Sequence, residues 1–172
     1  MSTARRPIPY SLQVQVFRDS AWLCTWCHAP LVFAPALNLL ERWVRKTGHQ
    51  APLAYFHMRW RRDASPMLDY LGAVVDHVDA FSKGGAHAKE NFVASCNKCN
   101  SLKSAETPEA LAAKRRLRKV RGKYGEPQHW DGLTTVFVLL AAEHPQWLTV
   151  SERKWLKALT EAIGVSSLAR SP

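Results

Sequence analysis

The four cysteines of this 172-residue chain form two pairs, each with two residues between its members. Cys24 and Cys27 make the first pair, and Cys96 and Cys99 make the second. A two-residue gap lets both sulfurs of a pair reach one metal ion, and four thiolates are a common tetrahedral ligand set for zinc. The 68 residues between the pairs exceed the spacing of a compact zinc ribbon. We expect one structural zinc ion per chain, with four unpaired thiols as the alternative and His28 as a bystander.

A second group of polar side chains lies between the cysteine pairs. Residues 74–104 have the sequence VVDHVDAFSKGGAHAKENFVASCNKCNSLKS, in which an Asp-His pair precedes a Gly-Gly loop and an asparagine follows the last cysteine. This segment resembles the HNH endonuclease family, whose core is a ββα-metal finger. The residues that match the family pattern, in order, are Asp76, His77, Ser82, Lys83, Gly84, Gly85, Asn91, Cys96, Cys99, Asn100 and Lys103.

The resemblance covers less than half of the chain. It is strong over residues 74–104, and residues 18–27 are similar to the lead-in of zinc-bearing members. Asp79 stands where the family has an apolar residue, and Ala80 stands where it has a proline. Neither is an expected ligand, so these departures concern the shape of the loop more than the chemistry.

The resemblance implies metal-dependent hydrolysis of DNA phosphodiester bonds that leaves a 5′ phosphate and a 3′ hydroxyl. His77 is the expected general base, since an unperturbed imidazole has a pKa of about 6.5. Asp76 and Asn100 are the expected oxygen ligands of a divalent cation, Mg²⁺ or Mn²⁺. By resemblance, Asn91 is not a ligand but braces the loop and orients His77. Neighbours on a strand point to opposite faces, so Asp76 and His77 share one site only if the strand ends or bends there.

The chain is strongly basic, with a formal net charge of +10. Such an excess favours a polyanionic partner, and here we expect DNA. The run KRRLRKVRGK at residues 114–123 carries seven cationic side chains, for which we favour phosphate contact over a solvated helix face. His87 is expected to be a solvated loop residue. The residues expected to contact nucleic acid are Lys83, Lys103, Lys114, Arg115, Arg118 and Arg121.

Apolar periodicity and capping signals predict mostly helices around one short hairpin. We expect the seven tryptophans to pack in the core or in interfaces rather than to stack on bases. The predicted strands cover residues 70–78 and 91–95. The predicted helices cover residues 11–20, 36–47, 53–62 and 131–143, and for residues 11–20 an alternating strand is the alternative. Three further helices are predicted to begin near Cys96, after an N-cap at Thr107, and at a capping box formed by Thr149 and Glu152.

Together these signals predict an α+β, mostly helical fold in which zinc stabilises a small ββα-metal core with added helices on both sides. Residues 1–107 are the expected nuclease core, with a helical insert at about 30–70. Residues 108–164 are the expected basic helical extension, and residues 165–172 a flexible tail.

The longest apolar stretch, residues 133–142, is too short to cross a bilayer, so no membrane partner is expected. The first ten residues have no apolar core of a secretory signal, which favours a reducing cytoplasmic location. The sequence is compatible with a homodimer and with binding to a partner subunit, and it does not distinguish them. Two alternative functions also stay open: a non-catalytic zinc module that binds nucleic acid, and the same nuclease acting on RNA or branched DNA.

Overall fold

The computed structural model describes residues 6–48, 66–113 and 130–164. The helices in these ranges are α1 (Tyr10–Asp19), α2 (Ala34–Lys46), α3 (Pro66–Leu71), α4 (Asn97–Lys103), α5 (Pro108–Ala113), α6 (Thr134–Glu143) and α7 (Val150–Ile163). The strands are β1 (Ala73–His77) and β2 (Phe92–Cys96). Short 3-10 helices lie at Phe81–Lys83, Lys89–Asn91 and Pro145–Trp147. The fold is α+β and mostly helical, as predicted.

The two strands form an antiparallel hairpin that leads directly into a helix. Ala73 lies opposite Cys96, and His77 lies opposite Phe92. Helix α4 starts at the residue after β2, so β1, β2 and α4 form a continuous ββα unit. Alternation places Phe92, Ala94 and Cys96 of β2 on the buried face.

The strand predicted for residues 70–78 begins later than expected. Tyr70 and Leu71 belong to α3, whose last turn is closed by a 3.1 Å hydrogen bond from the Gly72 N–H to the Leu68 carbonyl. The helical turn packs Leu68 against residues 32 and 37 in a small apolar cluster. This tertiary contact outweighs the β propensity of the local sequence.

The main core is aromatic at its centre. The Phe33 ring meets the rings of Trp22, Phe137 and Trp155 edge-on, at centroid distances of 5.9, 5.4 and 5.2 Å. Phe137 lies on α6 and Trp155 on α7, whereas Phe33 precedes α2. One apolar cluster therefore contains residues from both sides of the predicted boundary at residue 107.

The helices predicted over residues 11–20, 36–47 and 131–143 are confirmed as α1, α2 and α6. The Thr107 hydroxyl caps α5 by accepting a 3.2 Å hydrogen bond from the Ala110 N–H. No helix in the described ranges is long and apolar enough to cross a bilayer. The predicted helix at 53–62, the basic run at 114–123 and the tail at 165–172 lie outside the described residues.

The predicted capping box of α7 is also confirmed. The Thr149 hydroxyl accepts from the Glu152 N–H at 3.2 Å, and the Glu152 carboxylate accepts from the Thr149 N–H at 2.7 Å. Arg42 of α2 lies 3.0 Å from the same carboxylate. Burial opposes ionisation of Glu152, but the bonds from Arg42 and Thr149 outweigh it and lower the pKa of this carboxyl. The contacts stabilise the fold above the usual pKa of Glu152, and this stabilisation is lost as the pH falls through the lowered value.

Candidate functional site

The four cysteines converge on one point. Their sulfurs all lie within 4.8 Å of one another, and all four side chains are buried. The sulfurs of Cys27 and Cys96, one from each pair, are 3.9 Å apart. Zinc–sulfur bonds of about 2.3 Å in a tetrahedron place the sulfurs about 3.8 Å from one another. Geometry and donor set therefore fit a structural zinc ion, and His28 is exposed outside the cluster.

The first pair lies in a tight turn that is fixed to the hairpin. The Cys24 N–H donates to the Ala29 carbonyl at 2.9 Å, and the His28 N–H donates to the Cys24 carbonyl at 2.8 Å. His28 adopts a left-handed backbone conformation with φ of 59°. The Thr25 N–H donates to the Ala94 carbonyl of β2 at 2.9 Å. This zinc turn, residues 24–29, is thus hydrogen-bonded to the strand that carries the second pair.

The second pair sits at the junction of β2 and α4. Cys96 is the N-cap of α4, and its sulfur accepts a 3.4 Å hydrogen bond from the Cys99 N–H. Hydrogen bonding to the neighbouring sulfurs, together with burial, raises the pKa of Cys99. Ionisation of four clustered thiols needs a cation among them, and Zn²⁺ would offset two of their four negative charges.

Asp76 and His77 are the last two residues of β1 and are both buried, with 7% and 4% of their surfaces exposed. Lys103 of α4 contacts both of them. Its ammonium lies 3.5 Å from Asp76 Oδ2 and donates to the His77 carbonyl at 2.6 Å. The end of β1 is therefore attached to the C-terminal turn of α4.

The Asp76 carboxylate has a second neighbour in the zinc turn. The indole Nε1–H of Trp26 donates to Asp76 Oδ2 at 3.0 Å. Burial raises the pKa of Asp76, and the nearby Lys103 and Trp26 offset only part of that rise. Because the pKa stays above its ordinary value of 3.8, ionisation of Asp76 costs the folded protein stability as the pH rises through the raised value. A divalent cation beside the carboxylate would reduce this cost.

The structure corrects the expectation that Lys103 contacts nucleic acid. Its side chain is fully buried, with 0% exposed, and its ammonium is engaged by Asp76 and His77. The mostly polar sequence of α4, NKCNSLK, does not signal such burial, because the burial depends on the packing of α4 against β1. Lys103 is an internal cation of the site rather than a surface contact.

The expectation that His87 is a solvated loop residue is also wrong. His87 is half-buried, and its Nδ1 lies 3.1 Å from His77 Nε2, at hydrogen-bonding distance. The two rings stack with centroids 5.3 Å apart, and Phe92 meets the His77 ring edge-on at 4.9 Å. The one sequence signal for this contact is the place of His87 between the Gly-Gly loop and Asn91.

Asn91 is buried and binds the loop across the hairpin. Its Oδ1 accepts from the Asp79 N–H at 2.8 Å, and its Nδ2 donates to the carbonyls of Asp79 and Ala86 at 2.9 and 2.8 Å. The Val78 N–H donates to the Asn91 carbonyl at 2.9 Å. The loop that follows His77 is therefore closed onto the residue that precedes β2.

The Gly-Gly sequence is required by the geometry of this loop. Gly84 has a φ of 90°, and a Cβ on Gly85 would lie 2.0 Å from the Asp79 carbonyl oxygen. The departure at Ala80 does not open the turn, since the Ala80 carbonyl accepts from the N–H groups of Lys83 and Gly85 at 2.9 and 3.1 Å. The Lys83 side chain is exposed on the outside of the loop.

Asn100 lies on α4, three residues before Lys103, so the two side chains share one helix face. It is half-buried, and among the described residues its amide group has no hydrogen-bond partner. Since Lys103 reaches Asp76 and His77, this face of α4 points toward the end of β1. This shared helix face agrees with the expectation that Asn100 serves the same site as Asp76.

Residues 65–106 match the profile of a family described as HNH endonuclease. The chain contains an HNH endonuclease domain. The matched range includes β1, β2, α4 and the second cysteine pair, whereas Cys24, Trp26 and Cys27 lie before it. No match was found among curated proteins or among solved structures.

The predicted contact residues Lys114, Arg115, Arg118 and Arg121 lie outside the described residues. Two lysines of the HNH domain, Lys83 and Lys103, were expected to contact nucleic acid. Lys83 is exposed and Lys103 is buried.

The buried ion pair of the HNH domain leads to a stability prediction. Lys103→Ala is expected to lower the free energy of unfolding by about 3–5 kcal/mol, because it leaves the buried Asp76 carboxylate without its cation. Urea denaturation of the zinc-loaded protein at neutral pH measures the change. Lys98→Ala, at an exposed position on the same helix, is the matched control and should cost less than about 1 kcal/mol. Equal stability of the two variants would contradict the pairing.

Proposed function

We propose that the protein is a metal-dependent endonuclease that hydrolyses DNA phosphodiester bonds through its HNH domain. The observation that carries the proposal is the meeting of Asp76 and His77, at the end of β1, with the α4 face that bears Asn100 and Lys103. The net charge of +10 supports a polyanionic substrate. Four reduced thiols support a reducing, cytoplasmic location.

The donor set at this place suits a hard divalent cation. A buried carboxylate and an amide oxygen with no hydrogen bond to another described residue are both oxygen ligands, which Mg²⁺ and Mn²⁺ prefer. Asp76 and Asn100 would hold the ion. When bound, it would neutralise charge on the phosphate and on the departing 3′ oxygen.

His77 is the base that accepts a proton from the attacking water. Imidazole changes its charge near neutral pH, which suits it to this role. The Phe92 ring and His87 fix the plane of the imidazole. Asn91 positions it indirectly by closing the loop that begins one residue later.

The zinc ion has a structural part in the proposal. Cys96 and Cys99 hold the first turn of α4, from which Asn100 projects. The exposed Lys83 and the basic run at 114–123 would contact phosphates and position the duplex without reading its sequence.

Cleavage of supercoiled plasmid tests the proposed function. We expect conversion to nicked or linear DNA in Mg²⁺ or Mn²⁺, complete inhibition by EDTA, and products with a 5′ phosphate and a 3′ hydroxyl. The absence of cleavage in both metals would favour a non-catalytic zinc module. An RNA and a branched DNA assayed at the same salt concentration would identify either as the preferred substrate, and such a preference would overturn the assignment of duplex DNA.

A further inference from the structure

Trp26 connects the cysteine cluster to Asp76 at the end of β1. It lies between the two cysteines of the first pair, and its side chain reaches Asp76, 50 residues further along the chain. The indole N–H to Asp76 Oδ2 distance is 3.0 Å. Trp26 precedes the matched HNH range, so the contact comes from a part of the chain that the family profile does not include.

Contacts of three nearby residues restrain the backbone around Trp26. Its neighbours Cys24 and Cys27 belong to the sulfur cluster, and Thr25 is hydrogen-bonded to Ala94 of β2. With both flanking cysteines bound to one ion, the indole would have little freedom to move away from Asp76. The zinc turn therefore determines where the hydrogen-bond donor stands.

The indole differs from the other neighbour of the carboxylate. The Lys103 ammonium carries a full charge, lies 3.5 Å from Asp76 Oδ2, and repels a divalent cation that approaches the same group. The Trp26 N–H is neutral, so it can orient the carboxylate without that repulsion. The Lys103 ammonium also lies 5.4 Å from the centroid of the Trp26 ring, so both groups border the same side of Asp76.

We propose that Trp26 is a positioning residue that orients Asp76 for the divalent cation and thereby couples the zinc cluster to the catalytic metal site. The inference rests on the proposed function, because it takes Asp76 to be a ligand of that cation. Hydrogen bonds to metal-binding carboxylates and imidazoles typically change metal affinity by about 10- to 100-fold. We expect an effect of this size from the Trp26 hydrogen bond.

The sharpest test replaces Trp26 with 3-benzothienylalanine, which has the shape of tryptophan but a sulfur in place of the N–H. Mn²⁺ binding to the zinc-loaded protein, without DNA, is measured by the electron paramagnetic resonance signal of free Mn²⁺. The Kd for Mn²⁺ should rise about 10- to 100-fold, while zinc content stays at one ion per chain. Cleavage should recover at saturating Mn²⁺, since the defect lies in metal binding and not in proton transfer.

The matched control is the same replacement at Trp130. Its Nε1–H donates to the Leu31 carbonyl at 2.7 Å, so an indole hydrogen bond is again lost, but away from Asp76. The Kd for Mn²⁺ should not change in this variant. Trp26→Phe provides a second variant in which the same rise in Kd is expected.

The outcomes separate the inference from the proposed function. An unchanged Kd in the Trp26 variants, with Asp76→Ala showing weakened Mn²⁺ binding, overturns the inference alone. If Asp76→Ala binds Mn²⁺ as tightly as the wild type, the assignment of Asp76 as a ligand fails, and the inference fails with it. A loss of zinc in the benzothienylalanine variant would also overturn the inference, since it would show a structural role in the zinc turn.

Discussion

The His77→Ala variant is expected to cleave supercoiled plasmid about 100- to 10,000-fold more slowly than the wild type at saturating Mn²⁺. The physical reason is the loss of the group that takes a proton from water as the phosphate is attacked. Affinity for uncleaved DNA and the zinc content should stay unchanged.

Single-turnover nicking rates measure this effect, with duplex affinity determined in EDTA at the same salt concentration. His28→Asn is a suitable control, because it removes an exposed histidine next to the zinc ligands and asparagine tolerates the left-handed backbone there. Wild-type cleavage by His77→Ala would refute the assigned base. A thermal unfolding curve for each variant separates lost chemistry from lost folding, since His77 is buried.

The Cys99→Ser variant is expected to lose zinc and, with it, most of the stability of the hairpin and α4. Apparent zinc-binding free energies of about 10–16 kcal/mol in zinc-finger peptides are as large as the whole unfolding free energy of a typical domain, about 5–15 kcal/mol. Cys99 is buried, and its backbone N–H also caps the turn through the Cys96 sulfur. The substitution keeps this backbone N–H, so the expected loss comes from the missing zinc ligand, which holds the first turn of α4 to the other three cysteines.

Elemental analysis and near-ultraviolet circular dichroism of the purified protein test this expectation. We expect one zinc ion per wild-type chain and clearly less than one in Cys99→Ser, together with a lower unfolding temperature. Lys98→Ala changes an exposed residue between the same two cysteines and should keep full zinc content. Full zinc and wild-type stability in Cys99→Ser would contradict the assignment of Cys99 as a zinc ligand.

Local patterns predicted the helices of this protein well where the end of the helix is set by nearby residues. Thr149 and Glu152 satisfy each other within one turn, and Thr107 caps α5 in the same way. The strand predicted over residues 70–78 had the wrong start, because Tyr70 and Leu71 are helical. Their secondary structure depends on where Leu68 packs. Such packing partners lie far away along the chain and leave no local pattern.

The sequence also predicted the two cysteine pairs, since a metal needs ligands of a given type at a given spacing. The resemblance to the HNH endonuclease pattern indicated Asp76, His77, Asn91 and Asn100 as the site residues. Two side chains of the same segment were misread, Lys103 as a surface contact and His87 as a solvated residue. Their residue types suggest exposure, and only the packing of α4 and of the loop against β1 buries them.

The amino-acid sequence by itself indicated the four cysteines that could hold a metal ion, the Asp-His pair and the basic character of the chain, because these follow from the chemistry of single residues and short spacings. Tertiary structure decided which groups surround Asp76. The Trp26 indole comes from the zinc turn and the Lys103 ammonium from the last turn of α4. Both reach the carboxylate because a shared core and a common sulfur cluster bring together segments that are distant in the chain, and no local pattern encodes that approach.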